Sequence, residues 1–461
     1  MTDCEIMELL REACDHALGK NMRGYRQRME QAATEIARGG NRDALCGEYK
    51  IASGFACGRD WRELSALYRE ALKLLRGPSR LFSRGCHLFG EYYNVFAICN
   101  VEPGHADENA DALSEIVSLF YALTGGGKGT DICYRAQLAY YRGDIDAALP
   151  LAKEAFDVAD ANGQGLIALC AAETLTGIAK HRQDIDLWRF AAGYINSVAA
   201  GTADTPRACR EQAELLGYMQ DLSLGFLHSV PERIKNGEFG AVSAPCGWEQ
   251  KEDALLAGSL PDALLVQLEY SSYSGNPVRA LLIADAMQKV YGMSDVILNI
   301  YLDFFRAGCY LQLHDGERVR ESLTNAVTLL AVDGLWLIAA EFAPAFGDTL
   351  YAIVERIDAS GTRRIREIGA EYWEKLIPFR DELLRGASLG LTGREKEVSA
   401  LLLNGKTNAE IAEQLSISVR TVKGHVTNIY SKYDIRRRSQ LHGAVEAAKE
   451  AQLADWAKRS E

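Results

Sequence analysis

Apolar positions recur every three to four residues along most of this 461-residue chain, the spacing of one face of an α-helix. The segments so marked are joined by short turns containing Gly, Asp or Asn, and only ten prolines interrupt the sequence. Strand-like segments do not alternate with helical ones, so neither an α/β receiver nor a nucleotide-binding domain is expected. The expected fold class is all-α.

Over residues 1–385 the helices read as repeated hairpins. CYRAQLAYYRGDIDAALPLAKEAF (Cys133–Phe156) is one helix, a Gly-Asp turn and a second helix. Forty residues on, GIAKHRQDIDLWRFAAGYI (Gly177–Ile195) sets Arg182-Gln-Asp-Ile-Asp against Arg142-Gly-Asp-Ile-Asp. Phe55–Leu75, Glu269–Val290 and Gly308–Leu330 follow the same pattern, with small residues such as Ala136, Ala139, Ala148 and Ala155 at helical spacing. One hairpin cannot bury its apolar face alone, so stacking into an α-solenoid is expected. The pattern resembles tetratricopeptide-type repeats, with a drifting period and without their Trp-Leu-Gly-Tyr signature. Residues 240–260 contain Gly, Ser and Pro and interrupt the stack. A last helix is expected over Ile365–Leu384.

The pattern changes after a short linker, 386–390. Thr392-Gly-Arg-Glu395 reads as a capping box opening a helix with Val398, Leu401 and Leu402 inward, stopped at Asn404-Gly405. Thr407-Asn-Ala-Glu410 is a second box, opening a helix that buries Ile411, Ala412 and Leu415. Ser416-Ile417-Ser418 is the turn, with Ser418 as the next N-cap. The third helix buries Val419, Val422, Val426, Ile429 and Tyr430, and a fourth follows Arg438 with Leu441, Ala444 and Val445 inward. Opposite the third helix's apolar stripe lie Arg420, Thr421, Lys423, Gly424, Thr427, Asn428 and Lys432. A helix fits the major groove of duplex DNA, and its N-terminal residues reach base edges. Gly424 removes bulk where backbone would approach DNA, while Asn408, Ser418 and Thr421 suit phosphate oxygens.

Charge supports that reading once taken locally. The chain carries a formal -12, but residues 388–461 hold twelve Lys and Arg against nine Asp and Glu, so the other 387 residues carry -15. Ser416–Arg438 has six basic residues and one acid, Asp434. Screening limits a field to about 10 Å at moderate salt, so the local +5 is what nucleic acid would meet.

LTGREKEVSALLLNGKTNAEIAEQLSISVRTVKGHVTNIYSKYDIRRRSQL resembles the LuxR-type helix-turn-helix domain: LTxRExEV, GxTNxEIA, SxxTVKxH, IxxK and a late RxQ occur in order. Tyr433-Asp434 departs from the pattern, where a leucine and a small residue are usual. The resemblance implies that Lys423, Gly424 and Thr427 face bases. It implies that Thr407, Asn408, Ser418, Thr421, His425, Lys432 and Arg438 lie at or near phosphates. The domain is expected over 391–452, with 453–461 as a tail. The whole arrangement is similar to MalT-type regulators without their ATPase region.

Composition, with 48% hydrophobic and 25% charged residues, is that of a soluble globular protein. No segment approaches 18 uninterrupted apolar residues, and MTDCEIMELL lacks a basic region followed by an apolar run, so a cytoplasmic protein without a membrane partner is expected. Eleven cysteines are scattered singly with no CxxC pair, and read as small buried apolar residues. Leu123–Thr130 (LTGGGKGT) lacks the spacing of a phosphate loop and reads as an interhelical loop. Asp144-Ile-Asp146 and Asp184-Ile-Asp186 lack the remaining calcium ligands and read as helix caps. His16, His87, His105, His181, His228 and His314 are isolated.

No cofactor, metal or catalytic set is indicated, and the chain is not expected to be an enzyme. The expected partners are double-stranded promoter DNA with inverted half-sites, RNA polymerase, a small-molecule or protein effector, and a second copy of the chain on DNA. The expected function is a bacterial transcriptional activator controlled through its helical region. The competing readings are a helical adaptor whose C-terminal unit is not a primary DNA reader, and a nucleotide hydrolase using Gly125–Thr130.

Overall fold

The structure is a computed structural model. Residues 19–20, 41, 58–59, 83–86, 89–93, 203, 240–258, 293–294, 387–392, 416, 434, 436, 444 and 446–461 lie outside the described residues. No strand occurs among the described residues. The helices run α1 Asp3–Leu18, α2 Met22–Arg38, α3 Asp43–Ser53, α4 Trp61–Leu74, α5 Val95–Cys99, α6 Ala106–Thr124 and α7 Thr130–Tyr141. They continue with α8 Ile145–Ala161, α9 Gly165–Arg182, α10 Ile185–Ala200, α11 Arg207–Ser223, α12 Glu232–Asn236, α13 Leu260–Tyr273 and α14 Pro277–Tyr291. Then come α15 Val296–Gln312, α16 Gly316–Asp333, α17 Trp336–Ile357, α18 Ala359–Gly386, α19 Gly393–Leu403, α20 Asn408–Gln414 and α21 Val419–Lys432.

The repeated hairpin turns share one backbone device. Between α7 and α8, Gly143 is left-handed (φ 80°) and the Asp144 amide donates to Ala139 O (2.9 Å). Gln183 (φ 58°) with Asp184 N to Ala179 O (3.0 Å) joins α9 to α10 in the same way. Gly275 and Asn276 join α13 to α14, and His314 and Asp315 join α15 to α16. The left-handed residue closes one helix, and the next starts the following one. Asp184, Asn276 and Asp315 accept the amide three residues on, as expected of caps. Asp144 does not: its carboxylate binds Arg364 of α18. The second acids also pair with arginine, Asp146 with Arg182 and Asp186 with Arg189.

Neighbouring helices pack pairwise: α7 on α8, α8 on α9, α9 on α10, α15 on α16 and α17 on α18. A row of repeats touching only nearest neighbours would stop there. Here α18 also packs on α9 and α10, with Trp188 against Phe379 at 5.6 Å between ring centroids. The buried Asp333 carboxylate accepts the amides of Gly104 (2.8 Å) and Ala106 (3.1 Å), closing a span of more than 220 residues. The helix most enclosed by this return is α9, buried from Leu166 to Cys170 and on most faces beyond.

Several expectations shift in detail. The last helix of this region is longer than Ile365–Leu384, running from Ala359 to Gly386 and so entering the expected linker; the rest of that linker lies outside the described residues. The expected interruption falls almost wholly at 240–258, also outside them. Cys4 is exposed rather than buried, at the first turn of α1. By length and composition α17 is apolar enough to cross a bilayer, but half of that window is buried within the protein. It also bends at Gly347 (φ 48°).

The Gly-rich stretch before α7 is an interhelical loop. Gly126 N donates to Thr124 Oγ1 (3.0 Å) and Gly127 N to Gln164 Oε1 (2.8 Å), so both amides are engaged internally rather than left to cradle phosphate.

Candidate nucleic-acid interface

The C-terminal helices α19, α20 and α21 enclose their own core. Val398, Leu402, Ile411, Ala412, Val422, Ile429, Tyr433, Leu441 and Val445 are buried together. Leu401, Leu415, Val426 and Tyr430 pack half-buried around them. Val419, expected inside, is 42% exposed. It is the first residue of α21, and helical side chains lean toward the N-terminus, so it projects past the packed surface. Tyr433, which departs from the LuxR-type pattern, is buried in this core, and burial pushes its phenol up. A fourth helix starts as expected after Arg438, through Leu441–Gly443 and Val445; Ala444 and its continuation lie outside the described residues.

Local chemistry sets where each helix stops and starts. Gly405 is left-handed (φ 77°); its amide donates to Leu402 O (3.0 Å) and that of Lys406 to Leu401 O (3.1 Å), a paired closure that ends α19. The expected capping box of α20 is present. Glu410 N donates to Thr407 Oγ1 (3.3 Å) and Thr407 N to Glu410 Oε2 (2.7 Å). Those hydrogen bonds from Thr407, with Lys406 nearby, hold the Glu410 carboxyl below its ordinary range. Ser418 starts α21 as expected: its Oγ accepts Thr421 N (3.0 Å) and lies 2.8 Å from Thr421 Oγ1. Thr392 of the first expected box lies outside the described residues.

Arg420, Thr421, Lys423, Gly424, Thr427 and Asn428 all lie exposed on α21, and Thr407 and Ser418 are exposed at the adjoining helix starts. Asn408 and His425 are half-buried. The Arg420 and Lys423 side chains form no ion pair with another described residue, so their charges face solvent. A methyl group added at Gly424 would meet nothing within 4 Å, so the backbone there is open to close approach. Thr427 Oγ1 donates to Lys423 O (3.0 Å), which still leaves its oxygen able to accept.

Two expected phosphate contacts are tied internally. Lys432 Nζ lies 2.6 Å from Glu395 Oε2 on α19, and Arg438 Nη2 donates to Leu402 O (2.7 Å) at the end of that helix. Both still have exposed surface. Sequence reasoning missed these ties, as it missed Arg394 Nη2 donating to Leu415 O (2.6 Å), which joins α19 to the end of α20. Together they hold the three helices in register beneath the exposed face.

Comparison with known proteins places this unit. Residues 389–443 match the family model described as bacterial regulatory proteins, luxR family. Over 50 residues the chain is 54% identical to the transcriptional regulatory protein LiaR of Bacillus subtilis, covering 11% of this chain and 24% of that protein. Over 69 residues it is 41% identical to the response regulator protein VraR of Staphylococcus aureus, covering 14% of this chain and 33% of that protein. The chain thus spans a third or less of the length of these relatives, and the likeness lies in its C-terminal unit, a luxR-family helix-turn-helix domain.

Proposed function

We propose that this protein is a sequence-specific DNA-binding transcriptional regulator in which α21 enters the major groove. The observation that carries this reading is the outer face of α21. It presents Arg420 and Lys423 free of described ion pairs, hydroxyl and amide side chains, and an open backbone at Gly424. Bases would be read by Lys423, Gly424 and Thr427. Phosphates would be held by Thr407, Asn408, Ser418 and Thr421 near the helix starts, with His425, Lys432 and Arg438 at the flanks.

On DNA the reading calls for a homodimer on inverted half-sites about 34 Å apart. It makes the protein a cytoplasmic, non-enzymatic bacterial activator that acts on RNA polymerase. The tetratricopeptide-like region binds an effector, and its net -15 restrains the basic unit until then. That restraint is refuted if residues 386–461 alone bind target DNA no tighter than the whole chain without effector.

Chromatin immunoprecipitation with sequencing tests the main reading. Discrete promoter peaks that share a sequence motif are expected. An absence of peaks would instead make the chain a helical adaptor.

A further inference from the structure

Helix α18 carries two seams on opposite sides. The inner one, Gly361, Ile365, Ile368, Tyr372 and Phe379, is buried or half-buried. Gly361 lies against the Trp336 ring and Ile368 against the α7–α8 turn at Gly143. Tyr372 stacks on His181 of α9, with centroids 4.2 Å apart, and Phe379 packs on Trp188.

The outer seam is Ala359, Arg363, Arg366, Ala370, Trp373 and Ile377, and all six are exposed. Its alternating steps of four and three residues are those of a helix that pairs with another along its length. Trp373 is 36% exposed and Ile377 59%. A continuous exposed row with such side chains marks an interaction surface rather than scattered apolar residues. Tryptophan and arginine are also the side chains that most often anchor protein interfaces.

The two halves of this row differ. Toward its N-terminal end, α17 and α18 frame a groove of about 490 Å³, with Glu355, Ala359, Thr362, Arg363 and Arg366 on its walls. Arg363 lies 3.6 Å from Glu367, and both are largely exposed. Arg366 lies over the Tyr351 ring, 4.7 Å from its centroid, and pairs with no described carboxylate. Toward the C-terminal end, Trp373 is held in place by its Nε1, which donates to Ala340 O (3.0 Å). Beside it are Ile377 and an exposed Glu374 that pairs with no described base. One half thus offers cations and a groove, and the other an anion and fixed apolar surface.

We propose that two copies of this chain pair antiparallel through α18, crossing near Ala370. Ile377 of each copy then enters the groove of the other, with Trp373 against Arg363 and Glu374 toward Arg366. Each contact is made twice, as a two-fold interface requires. Parallel pairing would set Arg363 and Arg366 against their own copies, and like charges oppose it. The pairing gives a surface to the homodimer that inverted half-sites call for, and that role rests on the DNA-binding reading above. An antiparallel pair sends the two Gly386 ends in opposite directions, so the two C-terminal units do not contend for one space.

Sedimentation equilibrium of the full-length chain without DNA tests this. The 50.7 kDa chain should sediment at twice that mass at micromolar concentration. Arg366→Glu and Glu374→Arg each set like charges face to face, and each should weaken dimerisation at least about tenfold. The double variant, which exchanges the two charges, should recover it. The two single variants, mixed, should pair with one another more tightly than either does with itself. Ile377→Arg should also separate the copies. All these positions are exposed, so the circular dichroism of each variant should match wild type. A wild-type chain that stays monomeric up to about 100 μM overturns the proposal, as does a dimer that no substitution weakens. A double variant as weak as the single ones overturns the antiparallel register. A dimer that passes these tests in a chain that enriches no DNA motif removes the DNA-binding reading and leaves the pairing. A chain that reads inverted half-sites while monomeric in solution removes the pairing alone.

Discussion

Lys432 and Glu395 are joined across the helix-turn-helix unit, Nζ to Oε2 at 2.6 Å, with the glutamate side chain 4% exposed and the lysine 33%. The pair ties the last turn of α21 to the first turn of α19, and so sets the angle at which the outer face of α21 is offered. Breaking a buried pair from one side costs about 3–5 kcal/mol, less where a partner reaches solvent. Glu395→Gln is therefore expected to destabilise this unit by about 1–3 kcal/mol. Thermal unfolding of the full chain, followed with a reporter in α21, should show the C-terminal transition moving down while the larger helical region is unchanged.

Lys423 and Lys432 should separate in DNA titrations. Lys423→Ala is expected to cost about 1–3 kcal/mol on a target site and to relax base preference. Lys432→Ala should weaken all sequences alike and also lower stability, because it removes the ammonium that pairs with the buried Glu395 carboxylate. An equal, sequence-independent loss from both variants would remove Lys423 from the bases.

Gly424 offers a test in which stability and binding move in opposite directions. Nothing in the protein obstructs a methyl group there, and alanine in a helix interior is favoured over glycine by about 0.5–1 kcal/mol. Gly424→Ala should raise the melting temperature and weaken DNA binding, as read by denaturation and by anisotropy titration. Undiminished affinity would mean that the α21 backbone does not approach DNA at this point.

The hairpin turns give a matched pair of substitutions. Alanine at Gly143 would adopt a left-handed conformation and drive its Cβ into Ile368 of α18. A loss of about 1–3 kcal/mol is expected. Gln183 holds the equivalent left-handed position, and Gln183→Gly should gain about 0.5–1 kcal/mol by relieving it. Chemical denaturation of the two variants measures both. A neutral Gly143→Ala would contradict the packing of α18 on this turn.

What was legible in the sequence follows the range of the interaction. The Thr407–Glu410 box, the Gly405 stop and the Ser418 cap each involve residues within a few positions, so their chemistry shows in a short string. The exposed face of α21 was legible for the same reason, through helical periodicity. Val419 was misplaced because periodicity says which side a residue faces, not whether a neighbour reaches as far as the first turn. Gln183 and His314 hid their left-handed turns, since glycine is the residue that announces one. Nothing periodic marks Glu395 with Lys432, or Asp333 with Ala106. These pairs exist only once distant helices have packed, and the stacking of His181 on Tyr372 was invisible for the same reason.

The central claim is that the exposed face of α21 reads DNA sequence. Selection of bound duplexes from a random pool, using the full-length chain and its Lys423→Ala variant in parallel, tests it most directly. The wild-type chain should enrich a motif of inverted half-sites, and the variant should lose preference at defined positions within it. Failure to enrich any motif, or an identical motif from both proteins, would contradict it.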